Sequence, residues 1–226
     1  MLACARGGRK AAHPRLDVRL PAPRRFASGA SAGRQCTVAL PLLVVVSGPP
    51  GSGKTTLAHA LARTIPCPAI SRDEIKEGLV HAMDAYAPVQ GDDLSLRTLD
   101  VFFGIVGALV NARVSLVAEA AFQHGLWAPG LIPLLDRARV QIVRCHVDAL
   151  VAWERINRRA DEQPVRRLVH GDPSLDAPFE SFVAKLAAFE PVVLPVPTLE
   201  VDTTDGLDPG LEAILTALAP TEDAPS

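Results

Sequence analysis

Residues 48–55 read Gly-Pro-Pro-Gly-Ser-Gly-Lys-Thr, which fits the pattern Gly-x-x-x-x-Gly-Lys-Ser/Thr and follows directly on the apolar run Leu42-Leu-Val-Val-Val46. A buried strand, a glycine turn and a helix opening at Lys54-Thr55-Thr56-Leu-Ala are the setting in which this pattern binds phosphate. Successive backbone N–H groups of Gly48, Pro50-flanked Gly51, Ser52 and Gly53 point inward as an anion nest, with Pro49 and Pro50 stiffening the turn. The positive end of the following helix adds to the field at the phosphates. In this setting Lys54 reaches the β/γ-phosphates, the Thr55 hydroxyl ligates Mg²⁺, and Thr56 completes the first helical turn. Few folds other than a parallel α/β sheet offer such a strand–turn–helix.

The rest of the chain supplies that sheet. Apolar runs at Leu42–Ser47, Ala69–Ser71, Val114–Ala118, Val140–Val147 and Thr198–Val201 predict five strands. Helical patterns lie between them at Lys54–Thr64, Glu74–Met83, Leu94–Ala112, Trp127–Arg137, Asp148–Arg159 and Phe179–Phe189, with Leu207–Leu218 closing the chain. Strands alternating with helices predict an α/β, three-layer αβα phosphate-loop NTPase fold with a five-stranded parallel sheet. Ligands of such sheets lie beyond the carboxyl ends of the strands. The loop after strand one, Asp73 after strand two, Glu119 at the end of strand three and Asp202-Thr203 after strand five therefore belong to one pocket.

Charge divides the chain. Residues 1–37 carry eight Lys/Arg against the single acid Asp17, a net +7, whereas the remainder sums to −9. The basic stretch, rich in Arg, Ala, Gly and Pro, has no apolar core of a secretory signal and predicts a disordered extension. The folded domain is expected over 38–220, with a disordered tail at 221–226. An acidic body argues against duplex nucleic acid as a partner and favours a small acceptor. Four scattered cysteines without Cys-x-x-Cys pairs suit a reducing, cytoplasmic setting. The most apolar stretch, Val101 to Ala118, is interrupted by Asn111 and Arg113, so no membrane association is expected. The chain contains neither Asn-Lys-x-Asp nor a switch Asp-x-x-Gly, which sets GTPases aside and leaves a small kinase.

Three blocks resemble a known group: Val44-Val-Val-Ser-Gly-Pro-Pro-Gly-Ser-Gly-Lys-Thr-Thr-Leu-Ala58, Ile70-Ser-Arg-Asp-Glu-Ile-Lys-Glu-Gly-Leu79 and Val117-Ala-Glu-Ala-Ala-Phe122. Together they are similar to the predicted-kinase branch of the P-loop nucleoside-kinase-like proteins, which includes AAA-type ATP-binding and zeta-toxin-like small kinases. The likeness spans about residues 41–219 and implies ATP with Mg²⁺, a helical lid and transfer of the γ-phosphate to a hydroxyl, while leaving the acceptor open.

The resemblance assigns roles residue by residue. Asp73 stands where related kinases keep the acid that orients the acceptor hydroxyl and takes its proton. It is also a candidate N-cap of helix two, and both roles can coexist at a strand end. Arg72 and Lys76 flank it as possible holders of an anionic acceptor. Glu119 stands where a second acid supports Mg²⁺. Arg155 and Arg159 share a face of the helix after strand four, and the resemblance points to Arg155 as the lid arginine that stabilises the transferring phosphoryl group. Asp202-Thr-Thr-Asp205 is expected near adenine. Arg-Leu-Val-His170 replaces the His-rich stretch of relatives, and with Arg166 and Arg167 it falls in a turn-rich segment. Two other activities remain open: a polynucleotide 5′-hydroxyl kinase or RNA-repair component, in which Lys76 replaces the usual Arg, and a non-catalytic, nucleotide-dependent regulatory ATPase.

Overall fold

The computed structural model describes residues 39–83, 93–162, 169 and 178–220. Five strands form one parallel sheet: β1 (Leu42–Ser47), β2 (Ala69–Ser71), β3 (Leu116–Glu119), β4 (Arg139–His146) and β5 (Thr198–Asp202), in the order β2-β3-β1-β4-β5. The central strand β1 is flanked by β3 and β4, and helices cover both of its faces. Its apolar run is therefore continuous rather than alternating.

Strand alternation sorts that run into two layers. Leu43 and Val45 join Leu116, Ala118, Val140 and Ile142 against α3 (Leu94–Asn111) and α4 (His124–Leu131). Val44 and Val46 join Val117, Val143, Cys145 and Val201 against α1 (Lys54–Thr64) and α7 (Leu211–Leu218). In the first layer Phe102, Phe103, Phe122 and Trp127 pack edge to face. α2 (Arg72–His81) packs beside α3, and α5 (Ala149–Glu162) pairs with α6 (Phe179–Ala187) through Ile156, Trp153, Phe179 and Phe182.

The register aligns the site. Ser71 pairs with Glu119, Glu119 with Val46, and Ser47 with Arg144, while His146 pairs with Asp202. These residues form one row along the carboxyl edge of the sheet. α3 is long and apolar enough to cross a membrane by length and composition. Its buried residues Leu94, Thr98, Phe102, Val106 and Val110, four apart, instead form the stripe that faces the core.

Several boundaries differ from the sequence expectation. α2 starts at Arg72 rather than Glu74, because Ser71 ends β2 and serves at once as the N-cap residue. The pattern at Trp127–Arg137 resolves into α4, with Pro129 inside its first turns, followed by a 3₁₀ turn at Ile132–Leu134. Asp148 caps α5 as expected, its Oδ1 accepting from the N–H groups of Leu150 and Val151 at 2.8 and 3.2 Å. The expectations for residues 1–37, for 84–92, for Arg166, Arg167 and His170, and for 221–226 lie outside the described residues.

Candidate active site

The phosphate loop runs from Ser47 to the start of α1, and two of its glycines are required by contact. A Cβ on Gly51, whose φ is +79°, would lie 2.7 Å from the Ala152 carbonyl oxygen. A Cβ on Gly48 would lie 2.8 Å from the carbonyl oxygen of Cys145. The loop is thus pressed against β4 and α5, and within it the Ser52 N–H donates to the Pro49 carbonyl at 3.3 Å. Gly53 (φ +69°) is the N-cap of α1 and contributes no side chain to satisfy the first-turn amides. Those amides stay available to an anion.

Lys54 folds back over the loop. Its Nζ donates to the Pro49 carbonyl at 3.3 Å and stands 4.0 Å from Glu119 Oε1. Glu119 is buried, 1 % exposed, and its Oε2 accepts from the Ser71 hydroxyl at 2.6 Å. The hydroxyl that would ordinarily cap α2 is thereby spent on Glu119, and α2 has no side-chain cap. Burial pushes the Glu119 carboxyl above its ordinary range, although the Lys54 charge and the Ser71 hydroxyl pull it back. Nearby Asp73 raises it further, and the Thr55 hydroxyl adds a small opposing pull. Glu119 Oε1 has no hydrogen-bond partner among the described residues. An orphaned carboxylate oxygen beside a phosphate-loop threonine is a fitting donor set for a hard divalent cation, which prefers oxygen ligands. Thr55 and Glu119 could hold Mg²⁺, and the amides of residues 48–56 with Lys54 could hold the phosphates.

Opposite the loop lies a cleft of about 280 Å³. Pro50, Gly51, Lys54 and Thr55 form one wall, and Arg72 and Asp73 from the first turn of α2 form another. Asp73 is within the helix, two residues past the cap position, so the N-cap reading does not apply to it. Arg72 Nη1 donates to Asp73 Oδ1 at 3.1 Å, holding a partly exposed carboxylate at the cleft surface. The third wall comes from the loop after β3 and from α4 and α5, with Ala121, Gln123, Leu126, Trp127, Ile156 and Arg159.

A second cavity, of about 440 Å³, abuts the loop on its other side. It lies between the start of α1 (Gly53, Thr56, Leu57), α5 (Arg155, Arg159) and Thr203 after β5. Thr203 ties these parts together. Its hydroxyl lies 2.9 Å from the carbonyl oxygens of Ser52 and His146, sharing one proton between them, and its N–H donates to His146 at 3.0 Å.

The site residues expected from sequence divide accordingly. The loop residues 48–56, Lys54, Arg72, Asp73, Glu119 and Arg159 converge. Arg155 and Lys76 do not reach the cleft. Arg155 lies one helical turn nearer the sheet edge, where its guanidinium donates to the carbonyls of Thr203 (2.7 Å), Thr204 (3.3 Å) and Gly51 (3.4 Å). Of the two arginines it is Arg159 that lines both cavities. Lys76 is buried on α2 and is not among the described residues that line the cleft. Sequence reasoning passed over Ser71, Gln123 and Leu126. Ser71 lies inside a block already singled out, and Gln123 stands just past Glu119, so position at a strand end was the available signal for both.

A family model described as an AAA domain matches residues 43–192. No curated protein is similar enough to this chain to count as a match. Among solved structures, a candidate kinase from Chloroflexus aurantiacus J-10-fl is 25% identical with a TM-score of 0.65, over 74% of this chain and 90% of that one. A sugar kinase from Janibacter sp. HTCC2649 is 20% identical with a TM-score of 0.52, over 80% and 99% of the two chains. A gluconokinase from Sinorhizobium meliloti 1021 is 18% identical with a TM-score of 0.50, over 79% and 92%. The last two likenesses establish a shared fold.

Proposed function

This chain belongs to the AAA domain family that its residues 43–192 match, and from that premise we propose that it is an ATP-dependent phosphotransferase acting on a hydroxyl of a small-molecule acceptor. The observation that carries this reading is the meeting of two cavities across the phosphate loop. The larger suits a nucleoside, the smaller an acceptor, and Arg159 lines both where a phosphoryl group would cross.

Each residue then has a task. The loop amides and Lys54 grip the triphosphate tail. Asp73, on the far wall of the cleft, accepts the proton of the incoming hydroxyl as its oxygen bonds to the γ-phosphorus. Arg159 offsets the charge that spreads over the transferring group. Thr55 and Glu119 are the residues that would hold Mg²⁺, which neutralises phosphate charge when bound. Arg155 and Thr203 shape the nucleoside side and keep the loop against α5. A polynucleotide kinase reading is weaker, since Lys76 stands where that pattern carries Arg and is not among the described residues lining the cleft. A cytoplasmic setting accords with Cys67 and Cys145 as free thiols.

Calorimetric titration with Mg-ATP, followed by transfer of γ-labelled phosphate into a metabolite extract, tests the proposal. Binding is expected for the native chain and not for Lys54→Ala, and labelled product is expected to vanish in Asp73→Asn with binding retained. Absence of binding, or binding without transfer to any acceptor, overturns it.

A further inference from the structure

We infer that Ser71 is the positioning residue of the cation site: its hydroxyl fixes the Glu119 carboxylate so that one oxygen is kept for a divalent cation beside Thr55. This deepens the phosphotransferase reading and rests on it. The sheet register sets the arrangement. Ser71 at the end of β2 pairs with Glu119 at the end of β3, which pairs in turn with Val46 of β1. Residues opposite one another in a parallel ladder point to the same face. Val46 belongs to the layer packed against α1, so Ser71 and Glu119 face the side where Lys54 and Thr55 open that helix. Both are almost wholly buried, at 3 % and 1 % exposure.

The hydrogen bonds show what the hydroxyl is used for. A serine at a helix N-cap ordinarily accepts from the amides of the first turn. Ser71 holds the N-cap position of α2 yet makes no such bond. Its hydroxyl instead donates to Glu119 Oε2 at 2.6 Å, a short bond of the kind a carboxylate accepts. A hydroxyl has one proton to give, so the choice of Oε2 settles the tilt of the carboxylate. Oε1 is left with no hydrogen-bond partner among the described residues, and Lys54 Nζ stands 4.0 Å from it, beyond hydrogen-bond reach. Thr55 is close enough to act on the same carboxyl. A carboxylate that served only the core would have both oxygens satisfied. One oxygen tied by a neighbour and the other left open is instead how an acid is held for a metal: the outer bond orients it and the free oxygen ligates. The same residue begins the helix that carries Asp73. Ser71 thereby fixes the cation's carboxylate relative to the one that accepts the proton, through one side-chain bond and two residues of backbone.

The test is calorimetric titration of the full chain with ATP, once with Mg²⁺ and once with EDTA, beside urea unfolding of each variant. The ratio of the two affinities reports how much tighter the cation is held in the complex than on free ATP, because the two bindings are linked. The native chain is expected to bind ATP more tightly with Mg²⁺. In Ser71→Ala the ratio is expected to fall by about tenfold or more, the usual effect of removing a residue that orients a metal ligand, with the affinity in EDTA near the native value. Ser71→Thr, which keeps the hydroxyl, is expected to restore the ratio. Ser71→Cys, similar in size but a weak donor, is expected to behave as Ser71→Ala does and replaces it should that variant not fold. If the alanine variant unfolds more easily while its ratio stays native, Ser71 is a packing residue and the inference is overturned, with the phosphotransferase left standing. Equal loss in Ser71→Thr and Ser71→Ala overturns it as well, as does a native chain that binds ATP equally with Mg²⁺ and with EDTA. Failure to bind ATP at all overturns both readings.

Discussion

The backbone of Gly51 lies directly on the backbone of Ala152, with the position of an added Cβ 2.9 Å from the Ala152 Cα. The phosphate loop and the helix that carries Arg155 and Arg159 are in contact with no side chain between them. Gly51→Ala should therefore push the loop away from α5 as well as strain a φ of +79°. The strain alone costs about 1–3 kcal/mol. Nucleotide affinity should fall about tenfold or more, equivalent to roughly 1.4 kcal/mol. Gly53→Ala is the control, because its Cβ would meet nothing nearer than 3.8 Å, and only the left-handed backbone cost of about 1–2 kcal/mol applies. Urea unfolding and nucleotide titration on both variants separate contact from conformation.

Thr203→Val keeps the shape of the side chain and removes the hydroxyl that joins the Ser52 and His146 carbonyls. Those buried acceptors lose a donor, at a cost of about 1–3 kcal/mol. Thr203→Ser should retain most of the stability. Thermal or chemical unfolding of the pair measures the difference.

The two arginines of α5 should fail differently. Arg155→Lys loses the forked donation to Thr203 and Thr204, which an ammonium cannot reproduce. It should weaken nucleotide binding and lower stability with kcat largely retained. Arg159→Ala should lower kcat by about 10²–10³ with little change in the unfolding midpoint. Steady-state kinetics beside unfolding curves distinguish the two. The roles are reversed if Arg155→Lys is the variant that loses turnover.

Glu119 links pH to stability. Because burial raises its pKa, the folded protein holds this proton more tightly than the unfolded chain does. The stability this supplies is fully present below the unfolded value, ordinarily 4.5, and is lost as pH rises through the folded value. In the nucleotide-free protein the unfolding free energy of the native chain, relative to Glu119→Gln, should decline with pH above that point. A flat difference across the range would show that Ser71 and Lys54 fully offset the burial.

The alternation of strands and helices, the phosphate loop and the strand-end acids were legible because each depends on neighbours in sequence. A glycine turn between an apolar run and a helix needs only local geometry, and period-two alternation assigns Leu43 and Val44 to opposite layers wherever the sheet stands. Asp148 was readable as a cap for the same reason. The start of α2 was less so, since Ser71 could be seen as a cap residue but not as the partner of a carboxylate 48 residues later.

What the chain determined alone is therefore the chemistry it carries: an anion nest, a lysine, and acids at the ends of parallel strands. The tertiary structure decided which charged groups face the cleft. Arg155 and Arg159 share one helical face, so spacing cannot separate them. The carbonyls that hold Arg155 arrive from β5 and the loop, far away in sequence. Lys76 and Asp73 are three residues apart on one helix, yet only Asp73 lines the cleft. Long-range packing sets which way a side chain points and which partner meets it, and neither is encoded in spacing along the chain.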